Sequence, residues 1–141
     1  MSVVKFYYPF IKDLDMAIVK TVELDQFCKS IMSADRNIRF VAIMDKKGIL
    51  LHNRSNNRFV QPSLEKWNDI HYMDCMLDIS MGAKFDDLYG PIRYHHSNKD
   101  NFFMFSFPYN KNVVIVTSTK KTSPITVATK ISHIIINSRQ L

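Results

Sequence analysis

Ile38-Arg39-Phe40-Val41-Ala42-Ile43-Met44-Asp45-Lys46-Lys47-Gly48-Ile49-Leu50-Leu51 reads as two strands around a tight turn. The first strand is apolar at almost every position, so neither of its faces suits water. A strand of that kind lies inside a sheet that is covered on both sides. Gly48 closes the turn, where a type I turn followed by a bulge needs a residue with positive φ. The spacing predicts strands over 38–44 and 49–54.

Working outward, Met16, Val19, Val22 or Glu23, Phe27 and Ile31 recur at helical spacing. They predict an amphipathic helix from about Asp15 to Ala34, with residues 1–13 irregular or extended. Asp35-Arg36-Asn37 then turns the chain. Beyond the hairpin, Ser63 is placed to cap a second helix. Its apolar stripe is Leu64, Trp67, Ile70, Met73, Leu77 and Met81, and Gly82 either stops it or loosens it towards Leu88. Tyr89-Gly90-Pro91 is turn chemistry. Three short strands follow, over 91–96, 101–107 and 112–118. Val113 to Val116 is again apolar on both faces. Ser123-Pro124 opens the last helix, with a cap residue followed by Pro at the first helical position. Val127 or Ala128, Ile131, Ile134, Ile135 and Ser138 form its stripe.

The segments fit an α/β (α+β) domain: a central five-stranded antiparallel sheet flanked by helices, in the order α-β-β-α-β-β-β-α. The first and fifth strands should be neighbours at its centre. At 141 residues the chain is long enough for one well-filled domain. We expect it to span 15–141, preceded by an N-terminal extension of residues 1–14.

The formal charge is +6. Along the sequence the cations are scattered, with pairs at Lys46-Lys47 and Lys120-Lys121 and a looser group at Arg54 and Arg58. That balance permits contact with nucleic acid or anionic lipid, but a solvated basic surface is the commoner outcome. Weak nucleic-acid binding is one alternative function, resting on charge alone. Cys28 and Cys75 are far apart, as expected of buried reduced thiols in a reducing compartment. No stretch reads as a signal peptide or a membrane span. The expectation is a cytoplasmic protein with no membrane partner.

No catalytic constellation is visible. Asp45, Asp74, Asp78, Asp86 and Asp87 are not paired as an acid and a base, and Ser80, Ser106 and Ser118 lack nucleophile-elbow glycines. The three glycines, at 48, 82 and 90, are too few for a phosphate-cradling loop. His71 and Cys75 share a helical face, but His95 and His96 point to opposite faces of a strand, so nothing forces a metal site. We therefore expect no catalytic residues, no cofactor and no metal. Phe103, Phe105 and Phe107 share one face of a strand. They are ordinary sheet core, or else the wall of a pocket in a PAS-like or Cache-like small-molecule sensor, which is a second alternative.

The element order, with Asp45-Lys46-Lys47-Gly48 turning an apolar hairpin before a crossover helix, resembles the Roadblock family of profilin-like folds. More narrowly, Asp35 to Gly48 followed by Leu88-Tyr89-Gly90-Pro91-Ile92-Arg93-Tyr94 resembles small archaeal proteins of that shape. The resemblance covers about 15–138. It implies a non-enzymatic, dimeric regulatory module that merges two sheets through the second helix and third strand. It also implies service as a scaffold or regulator of a small GTPase. By position, the dimer interface would fall on Trp67, His71, Asp74, Asp78, Ile92, Tyr94 and His96.

Overall fold

The computed structural model describes residues 9–56, 79 and 81–139, with side chains from residue 16 onward. Helix α1 spans Pro9–Ala34, strand β1 Ile38–Met44 and strand β2 Leu50–Ser55. Ile79, Met81 and Gly82 are helical, a 3-10 turn follows at Ala83–Phe85, and a short helix α2 covers Asp86–Tyr89. Strands β3 (His95–Asn98), β4 (Phe103–Tyr109) and β5 (Asn112–Ser118) lead to helix α3, Pro124–Arg139. The sheet is antiparallel, with strand order β2-β1-β5-β4-β3. The two strands read as apolar on both faces are thus neighbours at the centre.

Register divides the apolar residues between two layers. Ile38, Val41, Ile43, Phe105, Phe107, Val114 and Val116 face α1 and α3, where Phe27, Cys28, Ile31, Val127 and Ile131 complete the cluster. Phe40, Ala42, Met44, Met104, Val113 and Ile115 form a second cluster on the other face, with Ile79 packed against it. A break in register between Ile38 and Phe40 fits a bulge there, with Ile38 and Phe40 in opposite clusters. The β1–β2 turn closes as expected. Gly48 has φ +81, and the Asp45 carboxylate accepts hydrogen bonds from the amides of Lys47 and Ile49 at 2.8 and 3.0 Å.

The second strand is shifted by one residue, to Leu50–Ser55, and three further elements differ more from the sequence reading. Residues 9–13 are helical rather than irregular, since Pro9 suits a first helical turn, where its missing N–H costs nothing. The third strand begins at His95 instead of 91 because Ile92 is drawn into side-chain packing. A Cβ on Gly82 would lie 1.9 Å from Ile92 Cδ1, so the helical segment and this loop are in close contact and a side chain there would displace Ile92. The fourth strand starts at Phe103 and runs on through Tyr109, leaving Asn110 (φ 53) and Lys111 as the hairpin turn. The crossover helix expected from Ser63 lies mostly outside the described residues.

One packing expectation fails. Of the α1 stripe, Phe27 and Ile31 are buried, but Met16, Val19 and Val22 are exposed, as is Ile18. Among the described residues, no helix is long and apolar enough to cross a membrane.

Candidate interaction surface

The two edges of the sheet carry different chemistry. At the β2 edge, His52 and Arg54 reach the Asp25 carboxylate on α1 at 3.0 and 3.1 Å, and Lys29 joins at 3.4 Å. The His52 hydrogen bond, helped by Lys29 and Arg54, outweighs desolvation and holds Asp25 below its ordinary pKa. Beneath it, burial, with Asp25 nearby, pushes the Cys28 thiol up to about 12, so this cysteine is an inert core thiol. Asp35 ties α1 to α3. Its buried carboxylate accepts from the Asn37 amide at 2.8 Å and from Lys130 Nζ at 3.1 Å. Burial opposes its ionisation, but these bonds prevail and its pKa is lowered.

At the other edge, β3 pairs with β4 alone among the described strands. Its side chains sit on the phenylalanine row. The His96 ring stacks on Phe105 and meets Phe103 edge-on, each at 5.2 Å, while Tyr94 lies 5.6 Å from Phe107. Both His96 and Tyr94 remain exposed. Just before this edge, Met81, Phe85, Leu88 and Tyr89 recur at helical spacing and are 59, 53, 75 and 83 % exposed. The rings of Phe85 and Tyr89 meet at 6.2 Å. Together with Met81 and Leu88 they form an exposed apolar ridge. Two buried polar atoms in the same region, His95 Nε2 and Asp86 Oδ1, have no hydrogen-bond partner.

Of the residues proposed from sequence for an interface, Tyr94 and His96 share the exposed face of this edge. Ile92 is half-buried against Gly82. Trp67, His71, Asp74 and Asp78 lie outside the described residues, as does the His71–Cys75 pair. The ridge residues Phe85, Leu88 and Tyr89 were missed by the sequence reading. Their signal is an apolar spacing that continues past Gly82, where the sequence reading ends the stripe at Met81 and takes Tyr89 as part of a turn.

Among the described residues no group of three or more His, Cys, Asp or Glu side chains could hold a metal ion. A cleft of about 420 Å³ between α1 and α3 is lined by Glu23, Gln26, Phe27, Ser30, Tyr109 and Ser138. A smaller one, near 50 Å³, lies between Ile92, Phe107 and α3. Of the three residues named for a sensor-pocket wall, Phe107 lines the smaller cleft, and Phe103 and Phe105 line neither.

The sheet order, the flanking helices and the open third strand can be set beside solved structures. A Roadblock/LC7 domain from Streptomyces avermitilis superposes with a TM-score of 0.62 at 10 % identity, covering 82 % of this chain and 94 % of that one. The fold is Roadblock-like. MglB of Myxococcus xanthus gives a TM-score of 0.60 at 11 % identity, with 84 % and 95 % of the two chains covered. LokiProfilin1 follows at 0.50 and 12 % identity, covering 84 % and 97 %, which places the Roadblock-like domain within the wider profilin-like architecture. No protein-family model matches the sequence, and no curated protein matches it. At such identities the likeness concerns the fold.

Proposed function

We propose that the chain is a non-enzymatic, dimeric interaction and regulatory module of Roadblock type, a scaffold or regulator for a small GTPase or another protein partner. The observation that carries this reading is the exposed ridge of Met81, Phe85, Leu88 and Tyr89 beside the open β3 edge. An unpaired strand invites pairing with another strand, and an antiparallel β3–β3 contact is satisfied by a second copy. The ridge would then supply the apolar core of the contact and Tyr94 and His96 its flank. Trp67, His71, Asp74, Asp78 and Ile92 complete the proposed interface. Among proteins of similar fold, one solved structure is described as MglB with tetrameric arrangement (TM-score 0.59, 10 % identity, 86 % of this chain and 92 % of that chain covered), which supports assembly as a use of this architecture.

Sedimentation equilibrium tests the proposal. The chain should be dimeric at micromolar concentration. Leu88→Glu combined with Tyr89→Glu should weaken association at least ~10-fold, since each buries a charge in the contact, while circular dichroism stays unchanged. A protein that remains monomeric at high micromolar concentration would overturn the reading.

A further inference from the structure

Helix α1 outruns the body it packs on. Phe27 stacks on Tyr109, the last residue of β4, at 4.4 Å. Glu23 and Gln26 share a cleft with Tyr109 and Ser138, near the C-terminus of α3. Residues on the N-terminal side of Glu23 therefore run past the end of the sheet. From Pro9 to Val22 that is an arm roughly 20 Å long. Its described apolar side chains find no cover: Met16, Ile18, Val19 and Val22 are between 50 and 64 % exposed.

The turns at the end of the sheet that the arm passes carry a lysine cluster. The β1–β2 turn brings Lys46 and Lys47 there, and the β4–β5 turn brings Lys111, because Met44 pairs with Val113 and Tyr109 with Asn112. The arm itself carries Lys12 and Lys20 against Asp13 and Asp15, so the positive charge comes from the turns. Lys20, Lys46, Lys47 and Lys111 are exposed, and none is in an ion pair among the described residues. Ile49, 56 % exposed, follows the lysine turn. The Asp45 carboxylate is turned inward to the amides of Lys47 and Ile49 and does not neutralise them through an ion pair.

We propose that this end of the molecule docks on an anionic lipid surface, with the α1 arm lying in the interface and Lys20, Lys46, Lys47 and Lys111 meeting the headgroups. Reversible membrane binding needs both apolar insertion and a basic patch, and the two coincide here. The other end of the sheet serves as an internal contrast. It carries Arg36, Lys99, Lys120 and Lys121, but Ile125 is its lone strongly exposed large apolar side chain among the described residues. Both ends carry lysines; only one has the apolar arm. A nucleic acid would use the lysines and leave Met16, Ile18, Val19 and Val22 in water. The absence of a spanning segment argued against a membrane partner, but a helix lying on a bilayer does not need to cross it.

Co-sedimentation of the full chain with phosphatidylcholine vesicles containing phosphatidylserine tests the proposal. Binding is expected to those vesicles, not to pure phosphatidylcholine, and to fall as salt is raised. Ile18→Ser with Val22→Ser, and separately Lys46→Glu with Lys47→Glu, should each weaken it at least ~10-fold. Lys120→Glu with Lys121→Glu, at the opposite end, should leave it within about twofold if the arm directs docking. Circular dichroism of each variant checks folding. Absence of binding at low salt, equal binding to both vesicles, or equal loss in the Lys120/Lys121 variant would overturn the proposal. So would tighter binding to oligothymidylate than to vesicles, which would reassign the lysines to nucleic acid. A serine variant that changes the oligomeric state and spares vesicle binding would instead assign the arm to self-association.

Discussion

The β2 and β3 strands are the two edges of one sheet, each paired on one side alone among the described strands, yet their chemistry differs. At β2 an acidic group on α1 gathers His52, Arg54 and Lys29, so the edge presents charges already engaged with the protein. Engaged charge on an edge discourages a second strand from adding to it. At β3 the strand is short, its exposed rings rest on Phe103, Phe105 and Phe107, and an apolar ridge stands beside it. Near β3, His95 Nε2 and Asp86 Oδ1 are buried without a hydrogen-bond partner. The two edges of one antiparallel sheet thus differ in how their side chains are engaged.

The largest expected effect comes from removing what lies beneath the open edge. Phe105 is fully buried and carries the His96 ring. Phe105→Ala should cost about 3–5 kcal/mol of unfolding free energy, read from denaturant titration. Amide exchange should rise more at β3 than at β2, because the cavity opens under the former. Equal loss at both edges would mean that the two are not held independently.

A smaller effect is expected at the entrance to β2. Gly48 has φ +81 with nothing within 4 Å of an added Cβ, so the cost of Gly48→Ala is backbone strain alone, about 1 kcal/mol. The loss should be confined to the β1–β2 hairpin, leaving self-association unchanged. Weakened association in that variant would break the separation of the two edges.

Much of this contrast was hidden in the sequence for identifiable reasons. The centre was legible because β1 and β5 are apolar on both faces, a pattern few other positions in a sheet tolerate. Ser123-Pro124 and Gly48 marked their boundaries through local backbone chemistry. The start of β3 was not legible, because the packing of Ile92 on Gly82 is a tertiary contact between residues of unremarkable spacing. Periodicity showed an apolar stripe from Met16 to Ile31, but it carries no information about where the supporting body stops. The scattered lysines gave no hint that Lys46, Lys47 and Lys111 meet at one end, since only strand register brings them together. The ridge at Met81 to Tyr89 was legible as helical spacing, and exposure alone distinguishes it from core.

The smallest expected effect concerns the charged edge. Asp25 has its pKa lowered below the ordinary 3.8, chiefly by the His52 hydrogen bond. A carboxylate whose folded pKa is depressed stabilises the fold above its unfolded pKa and loses that contribution as pH falls through the folded value. The β2 edge should therefore keep its amide protection at neutral pH and lose it only in acid below 3.8. Asp25→Asn should lower β2 protection already at neutral pH and flatten its acid dependence, with β3 and the oligomeric state unaffected. Asp35, also depressed, acts on the α1–α3 junction, so residual acid sensitivity in the Asn variant should appear there and not at β2. If β2 protection in the unsubstituted protein fell near neutral pH instead, the carboxylate would not be what holds this edge to α1. The opposition between a charged edge and an apolar one would then lose its physical cause.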